Sequence, residues 1–343
     1  MVPHLLEWLE LSVRWLHVIA GVAWIGASFY FVWLNNHLRP PPEARPGVAG
    51  ELWAVHGGHF YQVSRFAVAP ERLPETLHWF KWEAYVTWLS GASLLVLVYY
   101  LGGAGFLTDP AVAELSHGAA VGIGVGTLVG GWLIYDLLCR SPLRHHPRVF
   151  AAVGFALATA AAFGLTQVFS ARAAYIHVGA TLGTCMAANV FFVIIPNQRR
   201  MVDAMIRGEA PDGELGRAGA LRSLHNNYMT LPVLFIMVSG HYPITYGHAW
   251  NWAILAGLSL SGAVIRHWFN LRGRGQHNVI LWPLAVAGVL ALAFVTRPAT
   301  IDVGGDVPDF ATKIHPIIQQ RCTPCHARET TWPGIVGPQK GVL

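Results

Sequence analysis

Residues 11–34 read LSVRWLHVIAGVAWIGASFYFVWL. An apolar helix of about 20 residues crosses a hydrocarbon core of roughly 30 Å, so this run predicts a membrane span. Seven comparable runs follow: Phe80 to Leu101, Gly118 to Cys139, Arg148 to Phe169, Ala173 to Pro196, Leu224 to Gly240, His248 to Phe269 and His277 to Thr296. The expected fold is therefore an all-α membrane protein with eight transmembrane helices spanning residues 1–300, followed by a short segment, residues 301–343.

Composition agrees. The chain has 54% hydrophobic and only 12% charged residues, with mean hydropathy +0.43, where a water-facing surface would call for about 25% charged. A lipid bilayer is the expected surrounding. Its 14 Trp and 10 Tyr suit headgroup-level belts. The net charge of +5 does not predict a nucleic-acid partner, because the basic residues sort by loop and not by face. Most Lys and Arg lie in or beside the first, third, fifth and seventh connections, for example Arg140, Arg144, Arg148, Arg199, Arg200, Arg207, Arg217 and Arg222. The second connection, GGAGFLTDPAVAELSH (102–117), has none. Basic residues accumulate on the cytoplasmic side, which places both termini of this multi-pass protein on the outer, periplasmic side. The first run is too long and has the wrong flanking charge for a cleaved signal peptide.

Near the end stands CTPCH, residues 322–326. C-x-x-C-H receives haem through two thioethers on Cys322 and Cys325, with His326 as proximal iron ligand. The inferred topology puts it in the compartment where haem is attached. Cys139 and Cys185 fall inside runs at spacings that suit no metal site, and read as core residues.

The first and fifth runs resemble each other. WLHVIAGVAWIGASFYFVWL (15–34) lies over YIHVGATLGTCMAANVFFVI (175–194), pairing His17 with His177 and Phe31 with Phe191. Continuing the comparison pairs His78 with His225, His117 with His248 and His146 with His277, a pattern compatible with two parallel four-helix repeats. On the inferred topology His17, His117, His177 and His248 lie toward the outer ends of spans, and His78 and His225 toward the inner ends. Ionisable groups at membrane depth are expensive, and imidazole is a standard axial ligand of haem iron. Each such histidine is also explained by hydrogen bonding near the headgroups. Ligation is favoured for His17 and His177, which lie inside their spans among small residues.

Four blocks carry a more specific signal: EWLELSVRWLHVIAGVAWIGASFYFVWLNNHL (7–38), HWFKWEAYVTWLSG (78–91), YIHVGATLGTCMAANVFFVIIPNQRRMV (175–202) and SLHNNYMTLPVLFIMVSGHYP (223–243), ahead of CTPCH. In this order they resemble the bacterial integral-membrane, cytochrome-c-linked urate oxidases. The resemblance implies oxidation of urate to 5-hydroxyisourate, with electrons passed to a respiratory cytochrome or terminal oxidase instead of forming peroxide. It also implies a cytochrome c domain with a downstream Met as sixth ligand. Here no Met follows Met237, so the cytochrome c segment is expected to be truncated or its haem differently completed.

Urate yields two electrons and a c haem accepts one. A cytoplasmic substrate and a periplasmic acceptor would need redox centres in between, so non-covalent haem b is expected in the membrane domain. The outer site would draw on His17, His117, His177 and His248, and the inner on His78 and His225. For urate itself, Arg222 is the candidate counter-charge, Asn226 and Asn227 the candidate edge readers, and His78 or Glu83 the candidate proton acceptor. Arg222 also satisfies the cytoplasmic charge bias by itself, and Glu83 has Lys81 and Arg266 as alternative partners. A non-enzymatic quinol-to-cytochrome electron-transfer subunit accounts for the haem motif and histidines without urate. A transporter accounts for the repeats alone.

Overall fold

The computed structural model describes residues 2–102, 104–297 and 309–323. Its order is α1 (Val2–His37), β1 (Val48–His56), β2 (His59–Phe66), α2 (Trp82–Leu95), α3 (Ala104–Leu107), α4 (His117–Arg140), α5 (Pro147–Thr166), α6 (Ala171–Ala188), α7 (Ile195–Ile206), α8 (Gly213–Ser239), α9 (Pro243–Tyr246), α10 (Asn251–Gly273), α11 (Leu281–Val295) and α12 (His315–Arg321). Each of the eight apolar runs falls on a helix.

Helix ends differ from the runs where polar residues continue the helical pattern. α8 starts at Gly213, well before Leu224, because Asp212 caps it by accepting from the Glu214 N–H. α2 continues as a π-helical turn, Val96–Tyr100. α6 and α7 form one rod through a second π-helical turn, Asn189–Ile194. Pro196 in the first turn of α7 explains the second widening: its ring would crowd the carbonyl four residues back, and it donates no N–H. Among the described residues, four helical stretches are long and apolar enough to cross a membrane: His4–His37, His117–Arg140, Pro147–Thr166 and Ala171–Ile206.

The all-α expectation needs one correction. The first connection folds into an antiparallel hairpin, β1 against β2, with His56 paired to His59. Gly57 and Gly58 have φ of +59° and +82°, the left-handed geometry of a two-residue hairpin turn. The signal was readable as alternating apolar residues either side of Gly-Gly.

α6 is the centre of the bundle. It packs on α2, α4, α5 and α8, and Ala173, Ala174, Tyr175, His177 and Val178 are buried along it. Close approach is built from glycine. A Cβ on Gly131 would lie 2.4 Å from Thr181 Cγ2, and one on Gly179 would lie 2.5 Å from Ile236 Cγ2. α1 sits at the periphery, packed on α2, α8 and α10. Its outward residues Trp8, Leu9, Trp15, Ile19 and Val22 are exposed, the apolar face a lipid surface would cover.

Candidate functional site

The polar residues of the helices collect into two buried groups, and between them they separate the sequence candidates.

The first group joins α4, the π-helical turn and α8. Arg222 donates from Nη2 to Asp136 Oδ1 at 2.6 Å and from Nη1 to Asn189 Oδ1 at 3.0 Å. Arg140 Nε reaches the other Asp136 oxygen at 2.6 Å. Asn189 Nδ2 donates to Asn226 Oδ1 at 2.8 Å and to Tyr135 Oη at 3.0 Å. Asn226 in turn donates to the Met186 carbonyl at 3.0 Å. Tyr135 Oη lies 2.9 Å from His225 Nδ1, and the His225 ring stacks on Phe150 at 4.7 Å. Arg222 and Asn226 were expected to bind substrate. Here Arg222 is neutralised by a carboxylate and both terminal nitrogens are used, so this group is internally satisfied and holds three helices together.

The second group joins α1, α8 and α10. Asn227 Oδ1 accepts from Arg266 Nε at 2.9 Å and from Asn270 Nδ2 at 3.1 Å. Arg266 lies over the Phe29 ring at 4.1 Å. Beside them opens a cleft of about 320 Å³, lined by Phe29, Tyr30, Trp33, Arg266, Phe269 and Asn270 among others. Asn227 was a sequence candidate. Arg266 and Asn270 were not proposed as ligand contacts, since only their spacing of four on one helix links them in sequence.

The histidines divide by what their ring nitrogens do. His177 is fully buried. Its Nδ1 donates to the Ala173 carbonyl at 2.8 Å, and its Nε2 pairs with Tyr100 Oη at 3.0 Å. Phe169 covers the ring at 4.6 Å, and a Cβ on Gly124 would lie 2.7 Å from Nε2. Both nitrogens are occupied within a closed aromatic pocket, so His177 does not fit axial ligation in this packing. His117 donates from Nε2 to the Tyr100 carbonyl at 2.7 Å, while its buried Nδ1 is unpartnered among the described residues. His248 precedes α10 in a loop, where Nδ1 accepts from the Trp250 N–H. His78 is exposed in the loop before α2 and packs against Phe80 at 4.7 Å. It is not brought to His225, which sits in the first group. Glu83, in the first turn of α2, forms no ion pair with Lys81 or Arg266.

His17, like His117, leaves one ring nitrogen free, and of the two only His117's is fully buried. The His17 Nδ1 donates to the Thr87 carbonyl at 3.0 Å and lies 3.1 Å from Ser90 Oγ, while Nε2 makes no hydrogen bond among the described residues. A carbonyl only accepts, so the proton is on Nδ1 and Nε2 keeps its lone pair, the arrangement of a metal-binding imidazole. Among the described residues no three His, Cys, Asp or Glu side chains cluster as metal ligands. Of the haem attachment motif, Cys322 is described, at the C-terminal end of α12. Cys325 and His326 lie outside the described residues.

Residues 3–297 match the model of the urate oxidase N-terminal family. The chain belongs to that family. No curated protein and no solved structure matches it. The match covers both polar groups, every membrane histidine discussed and the cleft.

Proposed function

We propose that this protein is a membrane-bound urate oxidase that converts urate to 5-hydroxyisourate and passes the electrons to a c-type cytochrome of the respiratory chain. The family match over residues 3–297 carries the reading. Water adds an oxygen to the purine, and two protons and two electrons leave, so the enzyme must bind a planar anion, exclude bulk water and supply acceptors. The proposed setting is the bacterial inner membrane, with eight spans and both termini periplasmic. The eight helical runs and the basic odd connections support it.

Haem would supply one-electron acceptance. The membrane residue best suited to hold it is His17, through Nε2, and C-x-x-C-H would carry the covalent haem c. What the chain's own residues do is separable from that. The Thr87 carbonyl and Ser90 fix the His17 ring. The Asp136–Arg222–Asn189 group rigidifies the ends of α4 and α8. Glu83 and His78 are the proposed proton acceptors. His78 stands on Phe80, which packs on Phe31 at 4.7 Å, and Phe31 adjoins Tyr30 of the cleft.

The test is anaerobic mixing of the purified holoprotein with urate, then separately with a quinol, while haem absorption is followed. Reduction by urate with formation of 5-hydroxyisourate is expected. Reduction by quinol alone would instead make the protein an electron-transfer subunit.

A further inference from the structure

We propose that the cleft between α1 and α10 binds a planar oxopurine monoanion, with Arg266 as its counter-charge and Asn270 presenting an acceptor to its edge. The proposal rests on the urate-oxidising reading and places the substrate within it.

Arg266 is 8% exposed. Within the described residues it makes no ion pair and only its Nε–H donates to a protein group. A buried cation without a counter-charge is costly, and an anionic ligand offsets that cost. Arg222 shows the contrast, since Asp136 and Asn189 already take both of its terminal nitrogens. The remaining Arg266 donors form a planar fork suited to a delocalised anion.

The two asparagines are oriented by this arginine. Arginine only donates, so Asn227 must turn Oδ1 toward it, which sends Nδ2 the other way. Asn270 must then present Nδ2 to the same Oδ1, which leaves its own Oδ1 over. Asn227 and Asn270 are 0% and 3% exposed, and those two leftover atoms, Asn227 Nδ2 and Asn270 Oδ1, are buried without partners among the described residues. Orphaned buried polar atoms are rare in native proteins. Asn270 lines the cleft, so its spare acceptor is the one placed to take a ring N–H, as on an oxopurine.

The walls suit a flat ring. Phe29, Tyr30, Trp33 and Phe269 line the cleft, no acidic residue does, and its volume of about 320 Å³ is that of a small-ligand site. The cleft lies at the C-terminal ends of α1 and α10, the cytoplasmic side on the inferred topology. A phosphate headgroup would answer the charge of Arg266, but uses neither the flat walls nor the spare Asn270 acceptor.

Tyr30 is half-exposed at the cleft and uncharged, so Tyr30→Cys tests the site without removing a buried group. Cys139 and Cys185 are buried, and labelling of the parent holoprotein gives the baseline for the other thiols. Anaerobic urate should slow maleimide labelling of the Tyr30→Cys holoprotein roughly tenfold or more, and vesicles of anionic lipid without urate should not. In turnover, Arg266→Gln should raise KM for urate roughly 10- to 100-fold, the range for loss of a charged hydrogen bond, while reduction of the haem by dithionite is unchanged. Should Arg266→Gln fail to fold, Asn270→Asp serves, placing a carboxylate against the anion and raising KM likewise. Unprotected labelling in a protein that still oxidises urate overturns the site alone, as does protection by anionic lipid only or an unchanged KM. A parent protein that neither binds nor oxidises urate overturns the functional reading and this proposal with it.

Discussion

Arg222 and Asp136 lie 86 residues apart in sequence and meet at 2.6 Å, with side chains 7% and 9% exposed. Their pairing ties α8 to α4 at the end of the bundle where Asn189 also arrives. Asp136→Asn leaves the guanidinium buried without its charge partner, which costs about 3–5 kcal/mol. The expected result is a large drop in the midpoint of thermal unfolding in detergent. Replacing both residues together by Leu and Met should cost far less, because no stranded charge remains.

Gly124 is required by His177. A Cβ there would stand 2.5 Å from Tyr100 Oη and 2.7 Å from His177 Nε2, neither of which lies at the end of a freely moving chain. Gly124→Ala should destabilise by about 1–3 kcal/mol, the range for overpacking. Gly118→Ala, on the same helix with nothing within 4 Å of the added carbon, should be neutral. Equal effects at the two positions would show that the aromatic pocket around His177 is not closed.

The two aligned histidines should respond differently to loss. His17→Ala removes the imidazole whose Nε2 is free, and is expected to lower non-covalent haem per folded protein, measured by pyridine haemochromogen. His177→Ala removes a buried ring held at both nitrogens. It should lower stability while leaving haem per folded protein unchanged.

Orientation is checked by placing reporters in two loops. A reporter active only in the cytoplasm should work when inserted between α7 and α8 at Gly208, where Arg207 and neighbouring basic residues lie. It should be silent at Ala111, in the connection without Lys or Arg.

Asp309 caps the helical segment leading to Cys322, accepting from the Thr312 hydroxyl at 2.7 Å and from its N–H at 2.9 Å. These bonds, the hydroxyl's first, hold the Asp309 carboxyl below its ordinary range. A lowered folded value means that the stabilisation is present above the unfolded pKa and is lost as pH falls through the folded one. By hydrogen exchange and mass spectrometry, Asp309→Ala should exchange faster than the parent across residues 310–321 at pH 6. The difference, in rates corrected for intrinsic exchange, should shrink as pH falls through the lowered Asp309 value.

Much of this protein follows from local sequence. Each of the eight apolar runs fell on a helix, because helix placement needs only consecutive residues of one character, and among the described residues four stretches are long and apolar enough to cross a membrane. C-x-x-C-H and the paired blocks around His17 and His177 were equally legible, since each lies within one short stretch. The hairpin at 48–66 was missed by the all-α expectation, because hydropathy passes over it, although Gly57-Gly58 between alternating apolar residues signals it. What sequence could not rank were its arginines and histidines. Arg222 and Arg266 each end an apolar stretch beside asparagines, and only packing decides that Arg222 meets Asp136 while Arg266 meets no acid. Likewise His17 and His177 align in register, yet one rests on a neighbouring helix with a nitrogen free and the other closes on Ala173 and Tyr100. The physical reason is the same in both cases. Helix formation and membrane insertion are summed over neighbours in the chain, whereas the charge and hydrogen-bonding state of a buried side chain depends on which distant helix brings a partner within about 3 Å.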